Sequence, residues 1–285
     1  MKSKSRRYEI IREIAVTTLW SILAGILGLF VVMLIGLLVF KTKRLPPEST
    51  FVFFVTVWLV VYLRLKKSGK TFADIGLGEK GLFSRSTIGL LIGAGFMTAT
   101  FAFLLSIKAV TFTEHTISSS LAIILVSGLA YSMIQASVEE VLFRGYFLNI
   151  LAWKNRLSAI LVTSALFSFL HFWHGVHLIG WLNIFLFGVF AAQSFYLFKS
   201  LWVPIGFHIG WNYFQKYVFT FPIYGSDNTR GLLALNDANK GLLSGGSFGP
   251  EGSIIITLLL VMTIGLIYWR QKETLIAVNP RLAQN

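Results

Sequence analysis

Two adjacent carboxylates, Glu139 and Glu140, stand alone: between Glu114 and Asp227 the chain holds no other acidic residue. They sit in the stretch Ser137-Val138-Glu139-Glu140-Val141-Leu142-Phe143-Arg144-Gly145, inside an apolar run from about Thr116 to Trp153. A charge near the centre of a membrane helix costs about 2.5–3.5 kcal/mol on insertion scales. Such residues face the protein interior and point to function by default. Arg144 follows Glu140 by four residues, the order and spacing at which a helical Glu and Arg meet. Glu139 is turned by about 100° from Glu140 around a helix of 3.6 residues per turn. The expected arrangement is an internal Glu140–Arg144 ion pair that supports the site, with Glu139 aimed elsewhere. A carboxylate with no cation beside it in a low-dielectric pocket suits general-base chemistry, and Glu139 is the candidate.

Two further pairs could meet it. Phe167 and His171, and likewise His208 and Asn212, are four residues apart and share a helix face. Depth along the helices brings them together. At about 1.5 Å per residue, Glu139 lies roughly 20 Å from the turn at Trp153, and His171 roughly the same distance from Leu157. His208 and Asn212 stand roughly 10–16 Å beyond Leu201. Three separate helices thus present polar groups in one slab of membrane. Each pair alone has a bland reading. A Glu-Glu-Arg group can be a polar knot kept for registry, His171 an interfacial histidine, and His208/Asn212 an interhelical hydrogen bond worth about 0.6 kcal/mol. His174 and His177, on a Trp/Phe-rich turn, read as interfacial anchors.

The elements that carry these residues are membrane helices. Of 285 residues, 55% are hydrophobic and 13% charged, with mean hydropathy +0.72. Several uncharged stretches reach the roughly 18 residues that mark a transmembrane helix. The pattern predicts an all-α polytopic membrane protein of about eight spans. These run over residues 14–40, 49–63, 86–107, 119–153, 157–172, 178–198, 201–219 and 253–269. Residues 1–118 hold the first three spans and a basic loop, 119–219 form the core, and 220–285 a polar loop and the last span. In the third span Gly89 and Gly93 allow close helix packing. Residues 108–118 and 222–252 read as loops, the latter as a solvated connector.

The net charge of +13 comes from basic residues gathered at helix ends, the positive-inside pattern, and calls for no nucleic acid. Lys2, Lys4, Arg6 and Arg7, the basic residues of 64–85, Lys154 and Arg156, Lys199 and the C-terminal tail fall on one side. Both termini are therefore expected in the cytoplasm, with Lys41, Lys43 and Arg44 an exception facing out. Zero cysteines exclude disulfides, thiolate metal ligands and a cysteine nucleophile.

Taken in order, Glu139-Glu140-x-x-x-Arg144, Phe167-x-x-x-His171 and His208-x-x-x-Asn212 resemble the three motifs of the CAAX prenyl endopeptidase and bacteriocin-processing group, also called the abortive-infection family. The resemblance covers roughly residues 119–219. It implies an intramembrane endopeptidase whose core helices enclose a water-filled cavity open to the cytoplasm. Glu139 and His171 would polarise a water for attack on the scissile carbonyl, and His208 and Asn212 would stabilise the oxyanion. Glu140 and Arg144 would support the site. The expectation is that no cofactor is required. Zinc stays open, and its ligands would be Glu139, His171 and His208, although the chain lacks a short spaced pair such as H-E-x-x-H.

Three function classes follow. The first is a peptidase acting on a peptide or membrane-anchored protein, with membrane lipids as surroundings. The second is a non-catalytic scaffold or immunity protein of the same fold. The third is a proton-coupled carrier, since intramembrane Glu and His also form relays. Short loops and the absent cysteines lean towards a bacterial cytoplasmic membrane. Substrate identity is not legible.

Overall fold

A close contact between two helices is written in four glycines. In the computed structural model, α3 (Leu82–Ser106) and α8 (Trp202–Tyr213) lie against each other along Gly89, Gly93, Gly206 and Gly210. A methyl group on Gly89 would meet the carbonyl oxygen of Val203 at 2.1 Å, and one on Gly93 that of Phe207 at 2.1 Å. From the other side, Gly206 and Gly210 abut the carbonyls of Ser86 and Leu90 at 2.1 and 2.2 Å. Each helix backbone fills the gap left by the other's missing side chains, the small-xxx-small geometry of membrane helix pairs. Gly89 and Gly93 are expected from the sequence. The reciprocal Gly206/Gly210 pair, which flanks His208, is not. Gly206→Val should therefore separate α3 from α8 and lower the yield of folded protein, by at least the roughly 1–3 kcal/mol of overpacking. A thermal melt in detergent reads this directly, and a wild-type melting temperature would contradict it.

The structure describes residues 2–38, 49–78, 80–113, 119–152, 155–171, 177–223, 225, 231–237 and 241–278. Lys41, Lys43, Arg44, Glu114, Trp153, Lys154, His174, Arg230, Lys240 and the tail after Val278 lie outside them, as do the side chains of Lys2, Lys4, Arg6 and Arg7. The chain is helical nearly throughout, as expected. After α1 (Lys2–Leu38) and α2 (Ser49–Lys67) comes α3, then α4 (Leu121–Glu140), a π-helical turn (Val141–Phe147) and α5 (Leu148–Leu151). These last three run as one continuous rod. Then follow α6 (Arg156–Leu170), α7 (Leu178–Phe198), α8 with a second π turn (Phe214–Val218), and α9 (Ile254–Val278).

Among the described residues, four helices are long and apolar enough to cross a membrane: Tyr8–Gly28, Leu82–Ser106, Leu121–Leu151 and Leu178–Phe198. The 15 residues of α6 extend roughly 22 Å, short of a hydrocarbon core of about 30 Å. A membrane protein is what these helices make, with Arg156–Leu170 and Ile254–Arg270 as shorter apolar helices among the described residues.

Two segments read as loops carry structure. Val110–Phe112 (β1) pairs antiparallel with Leu235–Asp237 (β2), Val110 opposite Asp237. The later half of the 222–252 segment is not a solvated connector. Ser244, Phe248, Pro250, Glu251 and Gly252 are buried, and Asn183 of α7 donates to the carbonyls of Glu251 and Ser253 at 2.7 and 2.8 Å. Glycine and serine content reads as solvated loop. Here Gly245 and Gly249, at φ +84° and +96°, fold the segment back onto α7 instead.

On the side of residues 68–80 the bundle is closed by a short 3₁₀ turn, Ala73–Ile75. Asp74 accepts from the Thr71 backbone N–H and hydroxyl at 2.7 and 2.8 Å, which hold its carboxyl below the usual range. The turn buries Ile75 against Gly145, while Leu201 N–H and Trp202 Nε1 donate to the carbonyls of Gly76 and Gly78. Glu13 of α1 pairs with Arg64 of α2 and accepts from the Tyr146 hydroxyl at 2.6 Å, tying the first hairpin to the π turn of the core.

Candidate active site

The core polar residues converge. Glu140 and Arg144, both with fully buried side chains, meet at 2.9 Å, as their spacing predicts. The spacing does not predict the third member: Glu140 Oε1 also lies 2.9 Å from His208 Nδ1 on α8. One carboxylate oxygen therefore joins the Arg144 guanidinium to the imidazole of a different helix. Between Glu140 and Leu148 the rod carries the π turn, a local widening that recurs at functional sites, and every residue from Val141 to Phe147 is buried.

Phe167 supports both ends of this group. Arg144 lies over its ring, 4.4 Å from the centroid, a geometry in which the ring quadrupole attracts the cation. His171, one turn further along and at the C-terminus of α6, has its ring centroid 4.5 Å from that of Phe167. His171 Nδ1 lies 2.7 Å from the Phe167 carbonyl oxygen. A carbonyl only accepts, so this nitrogen carries a proton, and in the neutral form of the ring Nε2 is the acceptor.

Glu139 closes the constellation. Its Oε2 stands 3.9 Å from His171 Nε2 and 3.9 Å from His208 Nε2, a buried oxygen with no hydrogen-bond partner among the described residues. Its Oε1 accepts from Gln135 Nε2 at 3.2 Å, one turn earlier on α4. Gln135 is the residue that reasoning from charge alone passes over, although i, i+4 spacing on the same face was the available signal. A gap of 3.9 Å is too long for a direct hydrogen bond and suits a water that touches both partners. Asn212 is buried one turn beyond His208, beside a cavity of about 10 Å³ lined by Phe167, Asn183, Ile184, Phe187, His208, Trp211 and Glu251.

All six residues singled out in the sequence, Glu139, Glu140, Arg144, His171, His208 and Asn212, thus belong to one buried region. His177 does not. Its Nδ1 accepts from the Gly180 N–H at 3.0 Å, capping α7, and its ring stacks on Phe248. It is a fold residue rather than an interfacial anchor.

The donor set can be tested for zinc. In a tetrahedral site with bonds of 2.0–2.1 Å, donors are about 3.4 Å apart, and Glu139 Oε2 is 3.9 Å from each imidazole nitrogen. Among the described residues no group of three His, Cys, Asp or Glu side chains is arranged to hold a metal. The residues as placed do not form a metal cage.

Comparison with known proteins gives one match, to the family described as Rce1-like, type II CAAX prenyl endopeptidase Rce1-like, over residues 120–214. No curated protein and no solved structure matches the chain. The matched third of the chain opens at the start of α4 and ends just past Asn212, so it contains every residue of the constellation described above. Over residues 120–214, and on the residues gathered there, this membrane protein is similar to the Rce1-like type II CAAX prenyl endopeptidase family.

Proposed function

We propose that the protein is an intramembrane endopeptidase that hydrolyses a peptide bond in a membrane-associated protein or peptide. One observation carries the reading: a single Glu139 oxygen 3.9 Å from two imidazoles of different helices, a separation that one water can bridge. A water accommodated there would donate one proton to Glu139 and the other to the acceptor nitrogen of His171. That arrangement draws the proton off as its oxygen attacks the scissile carbonyl. Glu139, once protonated, is placed to return the proton to the departing amine.

His208 and Asn212 stand opposite as donors to the oxyanion. His208 already donates from Nδ1 to Glu140, so donation from Nε2 requires both ring nitrogens protonated. Glu140 stabilises that charge, and Arg144 in turn balances Glu140. In this state the four groups Glu139, Glu140, Arg144 and His208 sum to zero, which suits a site enclosed by apolar side chains. The two glutamates have different duties: Glu140 is held by two partners and orients, while Glu139 keeps an oxygen for the water.

We read the reaction as metal-free and both termini as cytoplasmic, in a bacterial cytoplasmic membrane. Purified protein treated with a strong chelator should cleave its peptide substrate at the untreated rate. Loss of activity on chelation, restored by stoichiometric zinc, would replace the glutamate-only scheme. The substrate is found by comparing peptides from membranes that contain the wild type with those from Glu139→Gln. A cleavage product present only with the wild type identifies it, and identical peptide sets would move the weight to a scaffold role.

A further inference from the structure

The 241–253 segment lies outside the family match, yet it adds an acidic residue to the lining of the cavity beside His208 and Asn212. Glu251 is 4% exposed and lines the same cavity as His208 and Asn212. Its position is built rather than incidental. The Asn183 side chain, 2% exposed, donates to the backbone carbonyls on Glu251 and Ser253 and accepts from the Thr257 hydroxyl at 2.7 Å. A single asparagine on α7 thus fixes the end of the segment and the first turn of α9 against the site. Gly252, packed on the His177 ring at a distance that leaves no room for a Cβ, presses the same turn inward.

We propose that Glu251 is a positioning residue for Asn212, acting through one water held in the shared cavity. The inference rests on the peptidase reading of the site. The cavity, about 10 Å³, has the capacity of a single water, and its walls are apolar apart from Asn183, His208, Asn212, Glu251 and the Trp211 indole. An asparagine amide has two N–H donors. A water that accepts one of them and donates to the Glu251 carboxylate fixes the plane of the amide and leaves the second N–H directed at the substrate oxygen. Without Glu251 the amide is free to rotate, and the donor is presented only part of the time. The role needs an acceptor oxygen at the end of a side chain of this length and needs no negative charge. Glutamine in its place should therefore suffice, whereas alanine or the shorter aspartate should not.

The test uses the full chain in detergent or nanodiscs, with the peptide substrate found for the wild type. Glu251→Ala should lower kcat roughly tenfold, a fraction of the 10²–10³ lost when an oxyanion donor itself is removed, with KM within twofold. Glu251→Gln should recover kcat to within about threefold of wild type, since it keeps the water's acceptor. The side-chain amide resonance of Asn212, assigned by its loss in Asn212→Asp, should move in Glu251→Ala and stay near its wild-type position in Glu251→Gln. Unchanged kcat in Glu251→Ala, a rise in KM alone, or an Asn212 resonance that does not move overturns the proposal. If Glu251→Ala gives no folded protein, Glu251→Asp replaces it, with the same losses expected and wild-type kcat counting against. Should the wild type cleave nothing, the peptidase reading falls by itself. The amide resonance then decides alone whether Glu251 positions Asn212.

Discussion

Glu139→Gln should abolish peptide hydrolysis, lowering kcat by about 10²–10⁴, while leaving the protein folded. The expected preservation of the fold follows from the two oxygens. Oε1 is engaged by Gln135 Nε2, and the carbonyl oxygen of a glutamine can accept the same hydrogen bond. The new amide nitrogen then takes the place of Oε2, facing the acceptor Nε2 of His171 across 3.9 Å. Shape and the hydrogen bond at Oε1 are kept, and what is lost is the negative charge and with it the capacity to take a proton. Cleavage of the substrate peptide and a thermal melt, measured on the same preparation, separate the two effects. A wild-type rate would remove Glu139 from the role of base. A lost rate with a lowered melting temperature would show a structural part for it as well. The contrast with Glu140 is the point of the experiment, because two neighbouring glutamates of identical chemistry are given separate work by their partners alone.

Much of this site is legible from residue types and spacing, because helical periodicity converts sequence separation into direction. Glu140 and Arg144 are four apart and meet at 2.9 Å. Phe167 and His171 share a face and touch. Charge scarcity does the rest, since an acid in a hundred residues of apolar sequence has few reasons to be there. What the spacing does not carry is contact between helices. That His208 takes Glu140 rather than Glu139 through Nδ1 depends on the rotation of α8 about its axis, which Gly206 and Gly210 fix by packing on α3. No local pattern encodes that rotation. The π turn at Val141–Phe147 is equally invisible, since its sequence is compatible with an ordinary α-helix. The error over residues 241–253 has a different origin. Glycine, serine and proline are read as solvated loop on composition, and here their conformational freedom lets the segment turn back and bury Glu251.

Removing Arg144 should cost the protein more stability than any other single change in the core. Glu140 and Arg144 have no side-chain exposure, and breaking a buried pair by deleting one partner leaves an uncompensated charge, at about 3–5 kcal/mol. In Arg144→Met the carboxylate keeps only His208 as a partner, and Phe167 loses the cation over its ring. At roughly 2 °C per kcal/mol for a chain of this size, the melting temperature should fall on the order of 6–10 °C. Arg144→Lys keeps the charge but not the planar fork or the stacking on Phe167, so it should fall between the two. The double variant Glu140→Gln/Arg144→Met removes both charges together. It should regain most of the lost stability, since replacing a buried pair by uncharged groups is often neutral. It should nonetheless remain inactive, because His208 then lacks the carboxylate that supports its protonated ring opposite the oxyanion. A double variant as unstable as Arg144→Met would show that the guanidinium contributes through packing on Phe167 rather than through charge. A double variant that cleaves peptide at the wild-type rate would break the link from Arg144 through Glu140 to His208 on which the division of labour between the two glutamates depends.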